Sequence, residues 1–215
     1  MILKLQYIVI EGVIGVGKTT LTGMLANRLN AKMVLEQPEE NPFLEDFYKR
    51  PKQYAFQTQL FFLLSRYRQQ QAIPQRDLFH QTIVADYLFA KDKIFAYLNL
   101  EDRELRLYEK IVHLLEKDIT RCDLVVYLKS KPSRLMENIT LRDRPYEREM
   151  EPGYIEALNE AYNKFFAHYH DSPLLVVDTT RLDFVKRKDD FEYLVSRIQN
   201  FNFQEQDPTS WAFLD

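Results

Sequence analysis

The stretch IVIEGVIGVGKTTL, residues 8–21, runs from apolar residues into three glycines, a lysine and two threonines. Gly12, Gly17, Lys18 and Thr19 satisfy the pattern G-x-x-x-x-G-K-[ST], with Gly15, Val16 and Thr20 in the same loop. Glycines let backbone N–H groups wrap around phosphate oxygens, the lysine reaches the outer phosphates, and the hydroxyl beside it can ligate Mg²⁺. A helix expected to open near Lys18 adds the positive end of its dipole. Spacing and flanks together predict a site for a nucleoside triphosphate, read as ATP with Mg²⁺.

Other residues have the right chemistry to act beyond that loop. Arg142 and Arg144 lie in the segment LRDRPYERE, close enough to flank a transferring phosphoryl group with bidentate donors. Glu36 ends the segment KMVLE, and a carboxylate there could take the proton of an acceptor hydroxyl. Asp86 ends the strand within HQTIVADY and is a candidate for Mg²⁺, its water shell or the acceptor hydroxyl, with Asp92 as an alternative. Glu39 and Glu40 read as ordinary surface carboxylates. Gln59 and Arg66 fall on one side of a helix after two turns, among Phe56, Leu60, Phe62 and Leu63, which read as core. Cys122 is the only cysteine, so neither a disulfide nor a Cys-based zinc site is possible. His168 and His170 would diverge around a helix and carry no metal signature.

These side chains need a scaffold. After the first strand come four apolar segments: KMVLE (32–36), HQTIVADY (80–87), DLVVYLK (123–129) and PLLVVDT (173–179). Between them lie helical patterns such as QLFFLLSRYRQQ, ELRLYEKIVHLLEKDI and YIEALNEAYNKFFAHY. Nearly all-apolar strands alternating with helices predict an α/β fold, a parallel sheet covered on both faces, with function at the strands' carboxyl ends. ENPFLEDFY is expected to open a helix with Asn41 as N-cap and Pro42 in the first turn. The tail from about residue 201 to 215 reads as irregular. No linker divides the chain, so residues 1–215 are expected to form one domain.

With 46% hydrophobic and 28% charged residues, the composition is that of a globular protein. A net charge of -3 argues against a nucleic-acid partner. The longest strongly apolar run, LFFLL, is too short to span a bilayer, and the N-terminus reads as a strand instead of a signal peptide. A cytoplasmic protein without a membrane partner is the expectation.

Taken in order, IVIEGVIGVGKTTL, LEQPEENPFLEDFY, FQTQLFFLLSRYRQ, YLKSKPSRLMENITLRDRPYE and YIEALNEAYNKFF resemble the deoxyribonucleoside kinase family, bacterial deoxyadenosine and deoxyguanosine kinases in particular. The resemblance implies a three-layer P-loop kinase fold, a five-stranded parallel sheet flanked by helices, with an Arg-rich lid at about 142–151. It implies ATP as donor and a deoxynucleoside 5′-hydroxyl as acceptor, with purines as the first guess. Glu36 would be the general base. Gln59 would read the nucleobase, and Arg66 would support the base or a nearby carboxylate. Glu147 would bond a sugar hydroxyl and Tyr48 the 3′-hydroxyl. A homodimer is implied, with QLFFLLSRY or IFAYLNL as possible apolar surface.

Two positions depart from the family. Tyr87 follows Asp86 where relatives carry Arg and Ser, and Asn138 stands where relatives often stack an Arg on the donor adenine. Two other readings compete. A thymidylate-kinase-like enzyme would usually carry Arg-Glu-Pro after strand two and Asp-Arg after strand three. This chain has Leu35-Glu36-Gln37-Pro38 and Asp86-Tyr87. A P-loop switch or assembly ATPase would hydrolyse ATP without an acceptor.

Overall fold

The computed structural model describes residues 5–73 and 81–201. Its sheet consists of β1 (Tyr7–Gly12), β2 (Lys32–Val34), β3 (Ile83–Ala85), β4 (Leu124–Lys129) and β5 (Leu174–Asp178). All pairings are parallel, in the order β2-β3-β1-β4-β5. Central β1 is buried along its whole length, pairing Ile8 with Val84 on one side and Leu124 on the other. This burial is why β1 up to Ile10 and β4 up to Leu128 read as continuous apolar runs and not as alternating ones.

The helices are α1 (Lys18–Leu29), α2 (Leu44–Lys49), α3 (Pro51–Ala72), α4 (Lys91–Asn99), α5 (Asp102–Leu115), α6 (Pro132–Arg142), α7 (Pro152–Ala167) and α8 (Lys188–Gln199). Three of them, α3, α6 and α7, open on a proline, whose fixed φ and missing N–H cost nothing in a first helical turn. A reciprocal Glu101–Glu104 capping box starts α5. Helix α7 is bound to the sheet by aromatic packing: Phe166 stacks on Tyr127 of β4 at 4.2 Å between centroids, with Tyr162 alongside.

Some expected boundaries shift. β2 stops at Val34, and β3 covers only Ile83–Ala85 of the segment 80–87, of which His80 lies outside the described residues. Beyond those points the chain leaves the sheet, carrying Glu36 and Asp86 with it. The helix expected to be capped by Asn41 begins at Leu44. Asn41 instead accepts from Phe43 N at 3.0 Å and donates to Thr58 O at 3.1 Å, tying the entry of α2 to α3. His168 caps α7 and bonds back to Lys164 O. The tail expected to be irregular lies outside the described residues from 202 on.

Candidate active site

Parallel strands bring their carboxyl ends to one edge of the sheet, and the loop after β1 turns there. Gly12 and Gly15 have φ of +154° and +87°. A Cβ on Gly12 would lie 2.5 Å from Leu128 O, and one on Gly15 2.6 Å from Leu135 O, so only glycine fits between β4, α6 and the loop. Asn138 of α6 donates to Gly15 O at 2.8 Å, an amide that anchors the loop to the helix. Lys18 Nζ donates to Gly12 O at 2.7 Å and Val13 O at 3.2 Å. Burial, and then the nearby Lys91 ammonium, bring its pKa down to about 8.

One carboxylate joins three elements. Asp86 accepts from the Thr19 hydroxyl at 2.6 Å on Oδ2 and from Glu36 N at 2.7 Å on Oδ1, linking α1, the chain after β2 and the chain after β3. Glu36 is therefore fixed at its backbone before its side chain makes any contact. Its Oε1 accepts from Arg66 Nε at 2.7 Å and faces Nη2 at 2.5 Å, and its Oε2 accepts from Lys91 Nζ at 2.9 Å. Burial alone would raise the pKa of this carboxyl. Arg66 and Lys91 outweigh that and hold it well below the ordinary carboxylate range, so it stays ionised at neutral pH.

Arg66 also binds Asp92, whose other oxygen accepts from Tyr108 at 2.8 Å. Asp92 is 1% exposed and lies outside the cleft lining. It anchors Arg66, which leaves Asp86 as the carboxylate beside Thr19. Gln59 is buried next to Arg66 and donates to Asp92 O at 2.8 Å, which fixes the rotation of its amide. Phe62, expected in the core, lines the cleft beneath the Arg66 guanidinium. Leu63 is core, and Phe56 and Leu60 pack against its cluster.

Across the cleft, Arg142 grips both oxygens of Glu147, at 2.6 and 2.8 Å from Nη2. Arg144 donates to the Tyr146 hydroxyl at 2.7 Å and pairs with Glu39 at 3.3 Å. Tyr146 donates to Glu39 at 3.1 Å and lies parallel to Tyr48, 6.4 Å between ring centroids. Glu39 was expected to be an ordinary surface carboxylate. It is exposed, but it sits on the cleft rim and holds two residues of the 142–151 segment.

The cleft encloses about 300 Å³ and is lined by Lys18, Thr19, Glu36, Tyr48, Gln59, Arg66, Asp86, Arg142, Arg144 and Glu147 from the sequence-based set. Thr20 does not line it, and Gly12, Gly15, Val16 and Gly17 shape the loop behind it. Sequence reading missed Lys91, Phe95 and Tyr154 in the lining. Lys91 left one faint signal, a lysine one short turn beyond Asp86. Tyr87, beside Asp86, is completely buried and stands outside the lining. The described residues hold no group of three or more His, Cys, Asp or Glu suited to a metal ion.

A glycine-rich loop with its lysine and threonine, at the carboxyl edge of a parallel sheet and facing a buried carboxylate, defines a P-loop phosphotransferase. Comparison with known proteins narrows the class. The sequence model of the deoxynucleoside kinase family matches residues 8–202, and the chain belongs to that family. The chain is 36% identical to a deoxyguanosine kinase of Bacillus subtilis over 198 residues, 90% of this chain and 96% of that protein. It is 38% identical to a deoxyadenosine kinase of Dictyostelium discoideum over 162 residues, 74% of this chain and 66% of that one. Among solved structures, deoxyadenosine kinase from M. mycoides with bound dATP superposes with a TM-score of 0.78 at 26% identity, covering 90% of this chain and 98% of that one.

Proposed function

We propose that this kinase transfers the γ-phosphoryl group of ATP to the 5′-hydroxyl of a deoxyribonucleoside, purines preferred, giving the 5′-monophosphate for nucleotide salvage in the cytoplasm. The observation carrying this reading is Glu36, an ionised carboxylate that lines the cleft together with Lys18 and Thr19. The hydroxyl oxygen attacks the γ-phosphorus and its proton passes to Glu36. The bond to the bridging oxygen breaks, and its electron pair leaves on ADP. Lys18 reaches the outer phosphates. Arg142 and Arg144, from a lid at about 142–151, match the charge of the transferring group. Gln59 reads the base, Arg66 supports Glu36, and Tyr48 and Glu147 meet the sugar hydroxyls.

Mg²⁺ would be held by the Thr19 hydroxyl and the Asp86 carboxylate, hard oxygen donors 2.6 Å apart that suit an ion keeping several waters and phosphate oxygens. When bound it supplies charge neutralisation on the phosphates.

A purine acceptor is supported by the chain's likeness to a deoxyguanosine kinase and a deoxyadenosine kinase. A nucleoside monophosphate acceptor is disfavoured by pairing. Arg66 and Lys91 are both bound to Glu36, so a second phosphate would have to displace that carboxylate from each. ADP formation over the four deoxynucleosides and their monophosphates tests this directly. Turnover should require a nucleoside and be fastest with purines. Preference for monophosphates would overturn it, and turnover without an acceptor would point to a switch ATPase.

We further infer a homodimer. Leu64 on α3, Tyr97 on α4, and Leu107 and Leu114 on α5 are 42–65% exposed on helices that pack on one another. Sedimentation velocity should give twice the 25.8 kDa chain mass, falling to one chain in Leu114→Glu. A wild-type monomer at micromolar concentration would refute the assignment.

A further inference from the structure

The lone pairs of Glu36 are unequally used. A carboxylate has about four acceptor sites, two on each oxygen. Arg66 donates to Oε1 through Nε and crowds the same oxygen with Nη2 at 2.5 Å, while Oε2 receives Lys91 Nζ alone. With Oε1 hemmed in by two guanidinium nitrogens, the more open oxygen is Oε2, so an acceptor hydroxyl that gives its proton to Glu36 approaches beside the Lys91 ammonium. Arg66 is held rigidly by Asp92, which Tyr108 holds in turn. Lys91 sits at the start of α4, 3% exposed, with its N–H on Leu88 O. Leu88 N is itself tied to the buried Glu11 carboxylate at 2.7 Å. The lysine therefore reaches Glu36 from a fixed backbone.

We propose that Lys91 is a positioning residue for phosphoryl transfer: it holds Glu36 Oε2 so that the open acceptor site on that oxygen faces the deoxynucleoside hydroxyl. The proposal rests on the reading of Glu36 as base. Methionine at 91 keeps the length and loses the donor, leaving the carboxylate free to turn about its Arg66 contact.

Steady-state kinetics on Lys91→Met, Lys91→Arg, Glu36→Gln and the double variant test it. Lys91→Met should lower kcat about thirtyfold, as expected when a catalytic group is misaimed, with both KM values changed less than about threefold. Lys91→Arg should recover most of the rate, because its guanidinium also donates to Oε2. Adding Lys91→Met to Glu36→Gln should cost nothing more, since a residue acting through the base has no effect once the base is gone. Wild-type rate in Lys91→Met, or single effects that multiply in the double variant, would overturn the proposal. Should Lys91→Met fail to fold by thermal melting, Lys91→Leu, which also lacks a donor, takes its place with the same readouts. Wild-type protein lacking any nucleoside-dependent turnover would sink the underlying functional reading, a separate outcome.

Discussion

Glu36→Gln should lower kcat by at least about a hundredfold, the usual loss when a general base is removed. The amide keeps the shape of the side chain and one acceptor for Arg66, but it cannot take a proton from a hydroxyl. ATP affinity should stay nearly intact. The contacts of Glu36 are Arg66, Lys91 and, through its backbone, Asp86, while the phosphate loop is held by its own carbonyls and Asn138. The amide nitrogen would face either Lys91 or Arg66, donor against donor, so some stability should be lost too. A melting curve alongside the kinetics separates that loss from the catalytic one. A variant turning over near the wild-type rate would remove Glu36 from the mechanism.

The phosphate loop was legible in the sequence because its chemistry is local: backbone N–H groups, a lysine and a hydroxyl within eight residues, framed by an apolar strand. Glu36 and Asp86 were legible through topology, since parallel strands send whatever follows them to one edge. The partners of these residues were not. Lys91 is 55 residues from Glu36 in the chain, and Asp92 is 26 from Arg66. Nothing in the sequence says that α4 and α3 will close on the end of β2. Asn41 shows the same limit at short range. Its local pattern reads as a helix cap, yet a carbonyl of α3 takes its amide and the helix starts later. Glu39 looked like surface and is exposed, but the Arg144–Tyr146 segment folds over to meet it.

Replacing Glu11 with alanine should destabilise the protein by about 3–5 kcal/mol, because two buried backbone N–H groups lose their acceptor and a cavity is left. Glu11 is the next-to-last residue of β1 and has no exposed surface, beside the apolar Val9 and Ile10. Its Oε1 accepts from Gly12 N at 2.8 Å and from the Tyr162 hydroxyl at 3.3 Å, and its Oε2 from Leu88 N at 2.7 Å. Such a carboxylate is tolerated in the core only while those donors surround it. The same bonds fix where the phosphate loop begins and where the chain carrying Asp86 and Lys91 turns towards α4, so activity should fall along with stability. Urea unfolding measures the first effect. Glu11→Gln, which keeps one acceptor oxygen and sets an amide N–H against a backbone N–H, should lose less than the alanine variant. An alanine variant within about 1 kcal/mol of wild type would mean that water or a shifted loop satisfies these amides, and that the buried carboxylate is not what holds the loop and the turn before α4 in register.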